Sequence, residues 1–331
     1  RVSFHRGRRA GRGRRRAALS AACALGAWGL VFVAQGGPVA AATVDAPPKI
    51  TAKAWLVADL NTGQIVAAKN PHHPLAPAST LKALTLLALA PSVPVDDTRT
   101  RYVATDADAG IDGSKVGLVP RSRYRPADLY HGLMLGSGND CAHALAELAG
   151  GQDQAVALMT AEAARLGAAD TVVRNTSGLD AEGQVSSVHD LALFGREVLA
   201  RPELSELVAT TNYSFPAKGK NFGSKRDRFQ IQNHNRLLRN YDGALGVKNG
   251  YTVAAGGSFI GAARRGDEAY VVTILKAKGS TWHAARDLLD WAFENGAAAA
   301  GGADAAALGR LAEPGSAELS GAQLNATDPG S

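Results

Sequence analysis

Cysteine is scarce in this chain of 331 residues, which contains only Cys23 and Cys141. Two cysteines exclude a disulfide-rich scaffold, and Cys23 falls in a segment that we expect to be removed. Cys141 lies in the helical pattern of residues 139–148, which predicts a buried core side chain. No group of His, Cys and acidic residues has the spacing of metal ligands, and His72 and His73 adjoin in a predicted loop, so the sequence favours no metal site.

Aromatic residues reach only 6% and charged residues 20%, whereas 46% of the residues are hydrophobic, enough for a substantial core. No Gly-X-Y period is present, which excludes a collagen-like chain. The net charge of +6 comes from the beginning of the sequence, because residues 1–16 hold eight Arg and no acidic residue and leave −2 for residues 17–331. The nearly neutral remainder argues against nucleic acid as a partner.

The arginine-rich start is followed by an uncharged apolar run, residues 17–34, and by small residues that end at Ala42. This order is typical of a secretory signal peptide and predicts cleavage after Ala42, so that the mature chain begins at Thr43. An uncleaved N-terminal anchor is the alternative, because the run is about long enough to span a bilayer. The signal peptide predicts an exported, extracytoplasmic domain that is secreted or associated with the cell wall, whereas the uncleaved anchor would hold the exported domain at the membrane.

Hydrophobic periodicity predicts strands near both ends of the domain and helices between them. Strand patterns occupy residues 52–59, 64–68, 99–104, 244–247, 257–262 and 269–275. Helical patterns occupy residues 79–89, 126–134, 139–148, 152–166, 188–199 and 287–293. This order predicts an α/β domain over residues 43–295, in which one sheet forms from both chain ends around a mostly helical insert. Residues 296–331 are rich in Ala and Gly, which predicts a flexible tail.

The first candidate site is Ser79 with Lys82, at the start of a strongly apolar predicted helix. Residues three apart share a helix face, so the hydroxyl and the amine can meet. Serine needs an adjacent base to act as a nucleophile, and a buried lysine with a lowered pKa can supply it. The alternative is an ordinary helix start with Ser79 as its cap and Lys82 solvated. The apolar surroundings favour the first interpretation, because an unpaired buried ammonium is costly.

The second candidate is Ser137 with Asn139, in a glycine-containing break between two predicted helices. A serine hydroxyl can relay a proton, and the asparagine amide can hold both a substrate amide and the lysine in position. An interhelical turn in which Asn139 caps the next helix is the alternative.

The third candidate is the run Lys248, Asn249 and Gly250, followed by Tyr251, after a strand-like segment. A strand edge offers backbone amides to an oxyanion, and a lysine there can bind a substrate carboxylate. We expect Gly250 to let a substrate approach the backbone closely. Taken alone, the same residues would also fit a β-turn.

The three candidates occur in the order Ser-x-x-Lys, Ser-x-Asn, Lys-x-Gly, which resembles the signature set of the penicillin-recognising serine enzymes. Their context resembles the low-molecular-mass D-alanyl-D-alanine carboxypeptidases over about residues 50–295, in the segments PASTLKALTLLAL, LMLGSGNDCAHALAE, NTSGLDAEGQVSSVHDLA, NHNRLL and GVKNGYTVAAGGSF. The resemblance implies a β-lactamase/transpeptidase-like fold with an antiparallel sheet. It also implies a serine peptidase without cofactor, peptidoglycan stem peptides as substrate, and β-lactams as acylating inhibitors.

The resemblance also implies a role for each matching residue. Ser79 would be the acylated nucleophile, and Lys82 would be its general base. Ser137 and Asn139 would pass protons and position the substrate, and Lys248 would bind the substrate carboxylate. The backbone amides of Ser79 and Tyr251 would form the oxyanion hole. Asp180 matches an acid for which a structural role is expected. Asn249 departs from the pattern, because threonine usually stands at that position.

Three other functions share part of this pattern. A serine β-lactamase is disfavoured because the loop around Asp180 offers only Glu182 as a further acid. An endopeptidase or transpeptidase would use the same acyl-enzyme. A non-catalytic wall-binding scaffold is disfavoured because Ser79, Lys82, Ser137 and Lys248 are all present.

Overall fold

A computed structural model describes residues 44–217 and 227–312 of the chain. Its strands are β1 (Ala52–Asp59), β2 (Ile65–Lys69), β3 (Tyr102–Val103), β4 (Arg123–Tyr124), β5 (Asn212–Pro216), β6 (Arg228–Gln232), β7 (Ala244–Thr252), β8 (Gly256–Arg265) and β9 (Glu268–Ala277). Five of them form one antiparallel sheet in the order β2–β1–β9–β8–β7. Because β1 pairs with β9, the sheet joins both ends of the domain, and the predicted α/β architecture is confirmed.

The helices lie mostly between β2 and β7 in sequence, which confirms the predicted helical insert. They are α1 (Lys82–Leu89), α2 (Asp106–Gly110), α3 (Pro126–Met134), α4 (Asn139–Leu148), α5 (Gln152–Arg165), α6 (Val188–Ala200), α7 (Pro202–Ala209), α8 (Leu237–Asn240), α9 (Thr281–Ala300) and α10 (Ala303–Leu308). Every residue of α1 is buried, as its apolar composition predicts.

The sheet separates two apolar layers, because side chains alternate between its faces. On β1, Leu56 packs into the core that contains α1 and α6. Its neighbours Trp55 and Val57 pack on the opposite face, in the cluster that contains Leu288 of α9. The catalytic candidates at the start of α1 therefore lie between the sheet and the helical insert.

The strand pattern of residues 99–104 is confirmed only as the two-residue strand β3, which pairs with β4. The strands β4, β5 and β6 were not predicted, and the sequence of β6 is mostly polar. Such segments carry too few residues to show a period, and tertiary packing decides their conformation.

The prediction of a flexible tail from residue 296 is wrong for residues 296–312. Helix α9 continues to Ala300 and α10 follows, because alanine favours the helix wherever packing can hold it. The Gln64 amide donates hydrogen bonds of 2.9 Å to the carbonyl oxygens of Ala305 and Gly309, and so ties this end to β2. The predicted signal peptide, its cleavage site and residues 313–331 lie outside the described residues. Within the described ranges, no helix is long and apolar enough to cross a membrane.

Candidate active site

Ser79 lies in a 3₁₀ turn, Ala78–Leu81, and Lys82 is the first residue of the α-helix that follows. Residues three apart eclipse one another in a 3₁₀ turn, so both side chains point to one side. The Lys82 Nζ lies 3.0 Å from the Ser79 Oγ, within hydrogen-bonding distance. The structure therefore brings the two together, although the segment begins as a 3₁₀ turn and not as the expected α-helix.

Lys82 is fully buried, so the alternative of a solvated lysine is wrong. Besides Ser79, its Nζ contacts the Asn139 Oδ1 at 2.7 Å and the Ser177 carbonyl oxygen at 2.5 Å. The Asn139 amide is oriented from its other side, because its Nδ2 donates to the Asp112 carbonyl oxygen over 2.7 Å. The side chain of Asn139 therefore accepts a hydrogen bond from Lys82 and does not cap α4.

Burial lowers the pKa of Lys82 well below its ordinary value, and the positive charge of Lys248 lowers this pKa further. A neutral amine carries two N–H bonds and one lone pair. Because the Asn139 Oδ1 and the Ser177 carbonyl oxygen can only accept, they take the two N–H groups. The lone pair then faces the Ser79 hydroxyl, which is what a general base for serine requires.

Ser137 is buried in the turn between α3 and α4, with a left-handed φ of 58°. It stands two residues before Asn139, whose backbone N–H donates to the Ser114 carbonyl oxygen over 2.7 Å. The polar contacts of Lys82 go to Ser79, Asn139 and Ser177, so in the described chain Ser137 makes no hydrogen bond to the lysine.

Lys248, Asn249 and Gly250 belong to the edge strand β7, so the alternative of a β-turn is wrong. Lys248 is fully buried, and burial lowers its pKa to about 7. Its Nζ donates to the Asn249 backbone oxygen over 2.7 Å and lies 3.3 Å from the Asn249 Oδ1. The adjacent Tyr251 side chain is 71% exposed, which leaves this end of the strand accessible from solvent.

Gly250 is needed where β7 lies against the turn that carries Ser79. A Cβ at residue 250 would lie 2.7 Å from the Ser79 backbone nitrogen and 2.5 Å from the Ser258 Oγ, closer than real contacts allow. The glycine therefore permits contact between β7 and the turn that carries Ser79, a requirement that the sequence alone did not show. The expected approach of a substrate to this strand stays a prediction.

The loop of residues 173–184 completes the site, and sequence reasoning missed most of its contribution. Ser177 contacts Lys82 through a backbone oxygen, which no side-chain motif can show. A Cβ on Gly178, whose φ is +80°, would overlap the Ala78 carbonyl group. The Thr252 hydroxyl donates to the Asp180 carboxylate over 2.9 Å and so links the loop to β7, in agreement with the structural role expected for Asp180.

Asp140 is a second residue that sequence reasoning missed. Its fully buried carboxylate accepts hydrogen bonds of 3.2, 2.8 and 2.9 Å from the backbone N–H groups of Val116, Gly117 and Leu118. These bonds fix residues 116–118, which closely follow the Asp112 and Ser114 carbonyl oxygens that accept hydrogen bonds from Asn139. An acidic residue on the buried face of a predicted helix was the available signal.

Potential metal ligands also meet in the fold, contrary to the sequence expectation. His72, Asp170 and His189 each offer one ligand atom, and these atoms lie within 4.8 Å of one another. Spacing along the chain could not reveal this cluster, because His72 and Asp170 are 98 residues apart.

Comparison with known proteins decides the family. Residues 40–279 match the sequence model of the family described as D-alanyl-D-alanine carboxypeptidase. The chain belongs to this family. The D-alanyl-D-alanine carboxypeptidase DacB2 of Mycobacterium tuberculosis is 38% identical over 253 residues, which cover 74% of this chain and 84% of that protein. The resemblance stated from the three motifs is therefore confirmed.

Solved structures agree with this assignment. A D-alanyl-D-alanine carboxypeptidase from Mycobacterium tuberculosis superimposes with a TM-score of 0.71 at 36% identity, covering 76% of this chain and 95% of that one. Penicillin binding protein 6B from Escherichia coli gives a TM-score of 0.65 at 30% identity, covering 76% and 80%. The predicted penicillin-binding fold is confirmed, and the chain is a D-alanyl-D-alanine carboxypeptidase, a hydrolase of the serine peptidase class.

Proposed function

We propose that this carboxypeptidase is exported, is sensitive to penicillin, and trims the terminal D-alanine from peptidoglycan stem peptides through an acyl-enzyme on Ser79. The contact of 3.0 Å between the Ser79 Oγ and the buried Lys82 Nζ carries the proposal. It pairs a nucleophile with a base whose pKa burial has lowered, in the arrangement that serine acylation needs.

Acylation begins when the Lys82 amine takes the proton of the Ser79 hydroxyl. The Oγ attacks the carbonyl carbon of the penultimate D-alanine, and the peptide C–N bond breaks as the leaving amine receives a proton. The Lys82 ammonium then gives up the proton that it took from Ser79, and Ser137 is the candidate relay that passes it to the leaving amine, while the other two N–H groups of Lys82 stay with Asn139 and Ser177. Water then hydrolyses the ester and regenerates Ser79.

Lys248 binds the terminal carboxylate of the substrate in this proposal. An ammonium and a carboxylate form a charge-assisted hydrogen bond, and burial keeps competing water away. The backbone N–H groups of Ser79 and Tyr251 stabilise the oxyanion, a role supported by the contact of β7 with the nucleophile turn at Gly250. Asn249 contributes a second donor toward the same carboxylate.

A β-lactam presents a strained amide and a carboxylate to the same groups, so we expect it to acylate Ser79. Fast hydrolysis of that ester, as in a β-lactamase, would need a further base beside the ester. Glu182 is exposed, and Asp180 is bound to Thr252, so neither supports that alternative. The acyl-enzyme formed with penicillin is therefore expected to persist.

Two variants test the nucleophile. Ser79→Ala should abolish both covalent labelling by fluorescent penicillin and D-alanine release from a stem pentapeptide, while thermal unfolding stays cooperative. Ser92→Ala, which alters an exposed serine just beyond α1, should keep both activities. Labelling that survives in Ser79→Ala would place the nucleophile elsewhere. Hydrolysis of penicillin faster than the pentapeptide would favour the β-lactamase alternative.

Export rests on the basic start, the apolar run of residues 17–34 and the small residues before Thr43. Mass spectrometry of the protein from an expressing bacterium should find an N-terminus at Thr43. A chain that retains residues 17–34 would instead support the uncleaved anchor.

A further inference from the structure

Three potential metal ligands come together outside the catalytic groups. His72 lies in the loop after β2, Asp170 follows α5, and His189 is in the first turn of α6. The His72 Nδ1 lies 2.9 Å from the Asp170 Oδ2, and the imidazole rings of His72 and His189 have centroids 4.4 Å apart. The carboxypeptidase mechanism uses none of these side chains.

The buried carboxylate of Asp190 contacts both Asp170 and His189 and so orients these two members of the cluster. The Oδ2 of Asp190 accepts from the Asp170 backbone N–H over 2.9 Å and from the Thr171 hydroxyl over 2.7 Å. Its Oδ1 lies 3.3 Å from the His189 Nδ1. A proton on that Nδ1 leaves the Nε2 of His189 with a free lone pair, and metal-binding histidines are commonly held by a carboxylate in this way.

The backbone also holds the two histidines beside each other. The His189 N–H donates to the Pro71 carbonyl oxygen over 3.1 Å, directly before His72 in sequence. Pro71 and Pro74 flank the two adjacent histidines and restrict the loop. The ligand atoms are therefore brought near one another before any ion arrives.

We propose that His72, Asp170 and His189 bind one divalent first-row transition metal ion, with Zn²⁺ as the ion to be tested. Two imidazole nitrogens and one carboxylate oxygen form a ligand set that Zn²⁺ accepts, and His72 is exposed enough to leave a fourth position for water. Ligand atoms in tetrahedral zinc sites lie about 3.3 Å apart. The His72 Nδ1 and the Asp170 Oδ2 are already 2.9 Å apart, so only the longer separations, at most 4.8 Å, must shorten, by about 1 to 2 Å.

A simple His–Asp ion pair is the competing explanation. A second pair, His189 with Asp190, would account for the other histidine, but neither pair requires the two imidazole rings to lie 4.4 Å apart. Two imidazoles held this close to one carboxylate are better explained by a shared ion.

The bound ion would brace the base of the loop that reaches the active site. Leu75 pairs with Ser186, and Val172 pairs with Val185, so the cluster lies beside the two ends of that loop. The same loop carries the Ser177 oxygen that contacts Lys82. Zinc should therefore raise the thermal stability of the domain even in the absence of substrate.

Calorimetric titration of the chelator-treated protein with ZnCl₂ tests the proposal. We expect one saturable site, and a Tm raised by about 5 °C when free Zn²⁺ is about a hundredfold above Kd. His72→Ala should weaken binding at least about tenfold, since it removes a ligand, and His189→Ala should do the same. His73→Ala, which alters the adjacent exposed histidine, should bind Zn²⁺ like the parent.

Labelling by fluorescent penicillin shows that each variant is folded, because none of these residues belongs to the catalytic site. If His189→Ala fails to fold, the comparison of His72→Ala with His73→Ala still decides, since both side chains are exposed. The absence of saturable binding would overturn the proposal, and so would equal weakening in His72→Ala and His73→Ala. Either result would leave a His–Asp ion pair only.

Discussion

The two buried lysines should give the enzyme a narrow pH optimum, because the proposed mechanism needs them in opposite protonation states. Lys82 must be neutral to accept the proton of Ser79, whereas Lys248 must be charged to bind the substrate carboxylate. Burial lowers the pKa of Lys248 to about 7, so its charge is lost as the pH rises through this value. Below the lowered pKa of Lys82, protonation removes the base.

The size of the effect can be predicted for the alkaline side of the pH profile of kcat/KM. Above pH 7 the charged fraction of Lys248 falls by about a factor of ten for each pH unit, and kcat/KM should fall with it, since kcat/KM reports the free enzyme. A bound carboxylate stabilises the ammonium, so kcat should decline only at a higher pH than kcat/KM. The acid side should follow the protonation of Lys82.

Lys248→Arg separates this cause from a general loss of structure at high pH. A guanidinium stays protonated across the whole range, so the alkaline decline of kcat/KM should move upward by more than about one pH unit. The absolute rate will be lower, because the larger side chain must fit a buried position, but the shape of the profile is the readout.

D-alanine release from a peptide ending in D-Ala-D-Ala, followed at a series of pH values under kcat/KM conditions, measures both profiles. Thermal unfolding at the same pH values controls for structural loss. An alkaline decline that is identical in the parent and in Lys248→Arg would refute the assignment of that decline to Lys248. A flat profile between about pH 7 and 9 would refute the lowered pKa itself.

Three further predictions follow from single contacts. Asn249→Ala removes a donor near the substrate carboxylate and should lower kcat/KM about ten- to two-hundred-fold, while Asn249→Thr should stay within about tenfold of the parent. If Asn249→Ala is as active as the parent, residue 249 does not touch the substrate. Gly178→Ala should lower both Tm and the rate of penicillin labelling, because its Cβ would overlap a backbone carbonyl group at a left-handed φ. Gly183→Ala, with a φ of +71° and no such overlap, should lower both quantities less, and equal losses in the two variants would refute the steric argument. Cys141, whose thiol is fully buried and has its pKa raised by burial, should react with a maleimide only in denaturant, and rapid labelling of the native protein would contradict this.

Short-range chemistry explains what could be read from the sequence. Ser79 and Lys82 are three residues apart, so any helical turn brings them to one side, and their contact follows from local geometry. The apolar runs that became β1, β7, β8 and β9 showed which segments form the sheet, because a buried strand needs consecutive apolar residues. The order of strands and helices along the chain was then enough to predict the α/β architecture.

Long-range contacts decided the rest. Lys82 meets Asn139 and the Ser177 oxygen only because the chain returns 57 and 95 residues later, and the lowered pKa of the lysine depends on that enclosure. Sequence reasoning selected Gly250 for the approach of a substrate, which stays a prediction, and only the fold shows that this residue also lies against the turn that carries Ser79.

The structure of residues 296–312 and the histidine cluster likewise could not be predicted from the sequence. Residues 296–312 look like a flexible segment by composition, yet contacts with Gln64 and β2 hold them in place. His72 and Asp170 lie in separate loops, and only the folding of those loops onto α6 brings them to His189. Local propensity and period therefore determined the longer strands and helices and the Ser-x-x-Lys spacing of the site. The electrostatics of the site and its supporting contacts depend on burial and distance, which only the packed chain specifies.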